Sequence, residues 1–295
     1  MKIPALLLLA VTVGSASLSA QSTITLGQNY AYAANLGWVD VRGDITVSPP
    51  PFGVVIGEYV CSGYAYGANV GWINFGSGTA ANGVYYANTS AADFGVNQDG
   101  TGRLTGYAYG ANIGWINFEG VFGNPTVDLL TGKFSGFAYS ANCGWINLGD
   151  ITAYVQTNII RRGLSTAGDG IPDAWKILNF GSIGNPNAAA NLDPDKDGRT
   201  NLQEYLDGTD PNAFTSNLQI TSYTKAATVI GVTWTSVPNR FYAVETNPDL
   251  ILPWVDSGLG TIIPSGGATT FRSFNDSNAQ RFYRVKAFQT PLLQP

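Results

Sequence analysis

Twelve residues carry the densest chemistry in the chain: Asp193-Pro-Asp-Lys-Asp-Gly-Arg-Thr-Asn-Leu-Gln-Glu204. A hard divalent cation needs roughly six to eight oxygens at about 2.3–2.6 Å, and a short loop can supply them only by turning alternate side chains inward. Asp193, Asp195 and Asp197 have that spacing. Gly198 permits a sharp turn, the Arg199 carbonyl adds a main-chain oxygen, Asn201 acts directly or through water, and Glu204 closes the shell with both oxygens. The charges of Lys196 and Arg199 must then point outward. Calcium is the expected ion; magnesium, with its stricter octahedral shell and retained waters, fits less well. The competing reading is a solvated acidic turn.

Two elements must position these oxygens. A short helix over Thr200–Leu206, stopped by Gly208, would carry Glu204 back to the loop, and a second helix over Pro172–Phe180 would end at Gly181. Upstream, Gly168-Asp-Gly-Ile-Pro-Asp-Ala-Trp175 is an eroded version of the same pattern, with Ser165, Ala167 and Lys176 where ligands would stand. Asp169, Asp173 and Asp210 are candidates for a shared second ion. Helix capping by Asp173 and a turn at Thr209-Asp-Pro211 explain them more simply. Eight acidic residues fall within residues 165–215.

The run 193–204 matches the EF-hand loop at its diagnostic places. The whole piece, from Asp-Gly-Ile-Pro-Asp-Ala-Trp through Asp-Pro-Asp-Lys-Asp-Gly to Gly-Thr-Asp-Pro, resembles the thrombospondin type 3 and dockerin-like calcium modules of bacterial surface proteins. The resemblance implies calcium-dependent rigidity between neighbouring domains. Dockerin binding to cohesin needs a duplicated loop, and one intact copy is present, so that activity is not carried over.

Composition removes other chemistries. The 295 residues contain no histidine, which excludes Ser-His-Asp and Cys-His nucleophile pairs and imidazole metal sites. Fifteen Lys and Arg against twenty Asp and Glu give a formal charge of −5, which offers no basic surface for nucleic acid. There are four glutamates, Glu58, Glu119, Glu204 and Glu245. Glu58 and Glu119 flank repeat motifs at non-equivalent places, so no carboxylate pair of the glycosidase kind is indicated. The reading is non-enzymatic. Met1-Lys2, the apolar run Ile3–Val13 and small residues to Ala20 have the form of a secretory leader cleaved near Ala20, placing the protein outside the cell or on its surface. No later stretch reaches the roughly 18 apolar residues of a membrane helix.

Residues 21–155 hold a thirteen-residue motif four times, typified by Gly106-Tyr-Ala-Tyr-Gly-Ala-Asn-Ile-Gly-Trp-Ile-Asn-Phe118. Its tryptophans are Trp38, Trp72, Trp115 and Trp145. Period-two alternation sets Tyr107 and Tyr109 opposite Ala108, and Trp115 and Asn117 opposite Ile116 and Phe118, so each motif is a hairpin around Gly110-Ala-Asn-Ile-Gly114. Turn signals at Asn97–Gly102 and Asp128–Gly132 add an earlier strand to the last two units. Units of this size share a core with their neighbours, in a propeller, solenoid or sandwich. The motif resembles Gly-Trp-Ile-Asn aromatic repeats of secreted bacterial proteins, which carry no activity that transfers. Twelve large rings on one side exceed the apolar patch a monomer normally exposes, so burial as the core is expected. The alternative is a sugar-binding platform using Tyr64, Trp72, Tyr107, Trp115 and Trp145, with cell-envelope or matrix glycans as partners.

Cys61 and Cys143 occupy apolar places in the repeat register. They are buried free thiols, or a bridge if their Cα atoms come within about 7 Å. In residues 216–288, apolar strands at Leu218–Tyr223, Thr228–Thr235, Arg240–Glu245, Thr261–Pro264, Thr269–Phe274 and Arg281–Phe288 predict a β-sandwich with Val232, Trp234, Phe241, Tyr242, Phe282 and Tyr283 in its core. The pattern resembles fibronectin type III-like modules, which implies attachment or spacing. Residues 289–295 read as a tail. The expected class is mainly β: a fourfold β-repeat domain, a short helical calcium segment and a C-terminal sandwich. The expected role is structural or adhesive, with a carbohydrate-binding protein as the alternative.

Overall fold

Alternating side chains and a glycine-assisted reversal make each motif an antiparallel hairpin in the computed structural model, which describes residues 22–43, 53–120, 122–150, 153–278 and 280–294. The four hairpins are β1 (Ile24–Ala33) with β2 (Gly37–Asp40), β3 (Ser62–Gly67) with β4 (Gly71–Ser77), β6 (Leu104–Gly110) with β7 (Gly114–Asn117), and β9 (Phe134–Ser140) with β10 (Gly144–Gly149). Between them run β5 (Val96–Gln98) and β8 (Thr126–Val127), which pair with β6 and β9 across the two predicted turns. After them come β11 (Val155–Thr157) and β12 (Ile160–Arg161). The expected leader, residues 1–20, lies outside the described residues.

The hairpins close on themselves. Each unit's second tyrosine stands opposite the last polar residue of the preceding unit: Tyr66 opposite Asp40, Tyr109 opposite Asn74, Tyr139 opposite Asn117, and Tyr32 opposite Asn147. The last pair joins β1 to β10 and completes an eight-stranded barrel-like sheet. A second ring runs through the turns. The Asn69, Asn112 and Asn142 amides donate to the carbonyls of Leu36, Val70 and Ile113, and Asn35 donates to Cys143, at 2.8–3.2 Å. One motif asparagine therefore holds its unit to the one before. The other ends its strand, as when Asn74 and Asn147 accept from the main-chain N–H groups of Gly76 and Gly149. Replacing Asn112 by alanine should remove about 1 kcal/mol, one net hydrogen bond, and lower the melting temperature by a few degrees. An unchanged calorimetric trace would show that this ring contributes nothing.

The barrel interior is small and mostly aliphatic, with Phe75, Phe118 and Phe134 added to it. Ala31 faces Val39, Ala65 faces Ile73, Ala108 faces Ile116 and Ala138 faces Ile146, all buried. An eight-stranded barrel is just wide enough to be filled by side chains, which suits an alanine opposite a branched residue. The expected aromatic core is therefore a correction. The twelve rings of the aromatic triads lie outside, Trp38 being 53% exposed and Trp115 45%, because twelve rings would overfill the lumen, while the motif's closing Phe75 and Phe118 are buried. Cys61 and Cys143 are both buried in this core as free thiols.

Two helices follow, α1 (Asp173–Phe180) and α2 (Asn201–Asp207). The remaining strands are β13 (Ile220–Ala226), β14 (Val229–Thr235), β15 (Phe241–Asn247), β16 (Val255–Asp256), β17 (Thr269–Asn275) and β18 (Phe282–Phe288). β14 lies between β13 and β17, and β15 between β16 and β18. These two sheets share one core, Ile230, Val232 and Trp234 against Tyr242, Val244 and Ala287, which is a small sandwich. The expected strand at Thr261–Pro264 reduces to a single bridge between Ile262 and Tyr242. Beyond the sandwich, β19 (Leu293–Gln294) returns to pair in parallel with β12, and Leu292 and Leu293 pack on the barrel core. The chain is mainly β throughout.

Candidate metal centre

The loop between residues 193 and 204 is shaped by its own carboxylates. Asp193 accepts from the Gly198 N–H at 3.0 Å, Asp195 from Asp197 at 3.1 Å and Asp197 from Arg199 at 2.7 Å. Lys196 and Gly198 take left-handed φ values of 64° and 93°. Each aspartate thus pins the backbone with one oxygen. The other oxygen, Oδ1 of Asp193 and Oδ2 of Asp195 and Asp197, is buried without a hydrogen-bond partner. Carboxylate oxygens of the three residues lie within 4.8 Å of one another.

α2 brings in the rest. Thr200 and Gln203 form a reciprocal capping box at its start, and Gly208, in the left-handed conformation at φ 78°, ends it with an N–H bond to the Glu204 carbonyl. The Asn201 amide donates to the carbonyls of Asn187 and Ala189, both at 2.7 Å, which fixes its orientation and leaves Oδ1 unpartnered. Glu204 is fully buried, and both its oxygens lack partners. Six buried oxygens without donors, all on five residues of one twelve-residue loop, depart from the rule that buried polar atoms are bonded. Burial, and then the charges of Asp195, Asp197, Asp193 and Asp210, push the Glu204 carboxyl up to about 8. Burial likewise raises Asp195.

Basic side chains of the loop do not relieve this field. Lys196 is exposed, and Arg199 turns away to pair with Asp207 on α2. What is missing is a compact positive charge with affinity for oxygen, and a divalent cation fits the donor set: carboxylates, one amide oxygen, and the main chain at Arg199. The second proposed set is not brought together. Asp169 pairs with the buried Lys176 at 2.6 Å, Asp173 accepts from the Thr166 N–H and hydroxyl at 3.0 and 3.1 Å, and Asp210 accepts from the Asn212 N–H at 3.0 Å. Among the described residues, Asp193, Asp195 and Asp197 are the only acidic trio with oxygens this close.

The C-terminal part of α2 enters a three-way joint that no sequence motif announces. The Tyr205 hydroxyl donates to Glu58 on the barrel at 2.7 Å, and Glu58 also accepts from the Gly163 N–H at 3.0 Å. Arg240, at the edge of the sandwich, donates to the carbonyls of Tyr205 and Leu206, both at 2.9 Å, and so caps the helix C-terminus. Enclosure raises the Glu58 carboxyl above its usual range, against the lowering pull of these bonds and of Arg240 and Arg162. Gly208 serves twice, since a Cβ there would meet the Arg240 side chain at 2.9 Å. Ile171, Trp175 and Tyr205 form the apolar centre of the joint, with Tyr59 of the barrel packed against it.

The candidate sugar-binding residues share one surface but not one patch. Tyr64 packs on Trp72 at 6.3 Å and Tyr107 on Trp115 at 6.1 Å, while Trp145 packs on Tyr139 at 5.0 Å, each cluster on its own hairpin around the barrel. Among the described residues, no helix is long and apolar enough to cross a membrane. No family model, curated protein or solved structure matches the chain.

Proposed function

We propose that this is a calcium-binding, non-enzymatic structural or adhesive protein of the cell exterior, in which an ion held by Asp193, Asp195, Asp197, Asn201, Glu204 and the Arg199 carbonyl stiffens the joint between barrel and sandwich. The observation that carries the reading is the set of six unpartnered buried oxygens on a single loop. The ion would neutralise the carboxylates, and the loop would lock α2, whose next residue, Tyr205, reaches the barrel and whose end is capped from the sandwich. The likeness of the loop to thrombospondin type 3 modules supports the same role, and the leader at residues 1–20 supports export. Extracellular calcium sites bind at roughly 10⁻⁴ to 10⁻³ M, so ambient calcium would fill this one continuously as a brace. Titration calorimetry on the mature chain should give one calcium per chain in that range, with magnesium at least about tenfold weaker. Absence of heat at millimolar calcium, or equal affinity for magnesium, would overturn the assignment.

A further inference from the structure

The inward alanines and branched residues, with the two asparagines per unit, already account for the closure of the barrel. The outward rings are a separate expense, and all four hairpins carry three of them. On two hairpins a neighbouring loop adds a wall and leaves a concavity. The first, about 460 Å³, lies between Tyr30, Trp38 and Tyr154, with Gln28 at its edge donating to the Tyr154 hydroxyl at 3.1 Å. The second, about 420 Å³, lies between Tyr107, Trp115 and Phe94, beside Asn88, Thr89 and Ser90. There Phe94 stands edge-on to Trp115 at 5.1 Å and 84°.

The two cavities match in chemistry although their third walls come from unrelated loops. Each offers three rings, at least one amide and at least one hydroxyl, and neither described lining includes an acidic or basic side chain, the nearest cation being Lys133, whose ammonium lies 4.0 Å over the Tyr154 ring. That combination suits a ligand with an apolar C–H face and a rim of hydroxyls but no charge. Both volumes fall in the range of small-molecule sites, roughly 300–1,000 Å³. We propose that the barrel exterior carries two binding sites for neutral saccharides, a sugar ring stacking on Trp38 in one and on Trp115 in the other. The first and third hairpins are not neighbours in the closed sheet, so the sites face away from each other. They bridge two polymer strands; they do not clamp one. Among the described residues, the loop at Gly123 lies against the fourth hairpin, a Cβ there falling 3.1 Å from Trp145.

Affinity electrophoresis of the mature chain in gels holding soluble neutral polysaccharides (a β-glucan, a xylan, a galactomannan), with tryptophan quenching by their pentasaccharides, tests this. At least one polysaccharide should retard the chain, with two pentasaccharides bound per chain. Trp38→Ala and Trp115→Ala should each remove one site, and the double variant should lose about tenfold or more of the retardation, as loss of a stacking anchor implies. Trp145→Ala should change nothing. If a tryptophan variant fails to melt as a folded protein, Gln28→Ala, in the first half of β1, and Ser90→Ala, in the loop before β5, should each weaken one site. No retardation by any member of the panel, quenching by choline but by no sugar, or a folded double variant that binds like the parent would overturn the proposal. Binding should persist in chelator; its disappearance there would move the site to the metal loop and overturn the placement on the barrel.

Discussion

Glu204→Gln should stabilise the metal-free protein and at the same time abolish its stabilisation by calcium. The substitution keeps the shape of a fully buried side chain and removes one of four carboxylates gathered without a counter-charge. Near pH 7 in chelator the Glu204 carboxyl, pushed up to about 8, must hold a proton that the unfolded chain releases, a cost of at most about 3 kcal/mol that an amide does not carry. Part of that is already relieved by solvent and local adjustment, so a gain of about 1–2 kcal/mol, some degrees in melting temperature, is expected in chelator. With calcium at a hundredfold above its dissociation constant, the parent should gain about 2.7 kcal/mol. The variant, deprived of the bidentate closing ligand, should gain almost nothing. The two melting curves therefore cross: the variant is the more stable in chelator, the parent in calcium. A solvated acidic turn gives no crossing, because neither chain would respond to the ion. Differential scanning calorimetry of both proteins in each condition decides it, and parallel curves would remove the metal from the structural account.

How far the sequence reveals this architecture depends on how local the determinants are. The 193–204 loop is legible as a candidate metal site because its oxygens lie within twelve consecutive residues and the helix bearing Glu204 starts and stops on its own cap residues, Thr200 and Gly208. The hairpins are legible for the same reason, down to which residues share a face. Which face turns inward is not, because that depends on the number of strands that close, and closure rests on a pair as distant as Tyr32 and Asn147. Period two is equally compatible with rings inside a broad sandwich or outside a narrow barrel. Twelve rings do not fit inside a narrow barrel, and the alanines opposite Ile73, Ile116 and Ile146 are the signal that could have decided it. The joint was unreadable. Glu58, Tyr205 and Arg240 are single residues in three different segments, and Glu58 precedes a repeat at a place with no equivalent in the others. The last residues are too short a run to read as a strand, and β19 forms only because the partner edge of β12 is open to it.

Arg240→Ala should separate the sandwich from the rest of the molecule without unfolding either part. The guanidinium closes the carbonyls of Tyr205 and Leu206 near the end of α2 and faces the Glu58 carboxyl across the joint. Its core neighbours in the sandwich do not depend on it, since Ile230, Val232, Trp234, Tyr242 and Val244 pack among themselves. Removing hydrogen bonds from a charged group costs about 1.5–3 kcal/mol, and the loss here falls on the interface. The parent in calcium should melt with the sandwich coupled to α2. The variant should show an earlier, separate transition, and proteolysis should begin at residues 208–219 in place of a uniform decay. Calcium affinity should fall only slightly, because Arg240 bonds the carbonyls of Tyr205 and Leu206 and none of the ligand oxygens. Arg240→Lys should restore little, as one ammonium cannot span both carbonyls with the planar fork that the guanidinium provides. The contrast with Glu204→Gln is the informative part. One variant should lose the ion and keep the joint, the other should keep the ion and lose the joint, and on the proposed role only the parent would turn calcium binding into stiffness between the two β bodies. A variant that keeps the parent's single transition would mean that the sandwich is held by β19 and the segment before it, through Gln289 on Glu58 and Thr290 on Leu129, and that α2 is a passenger in the joint.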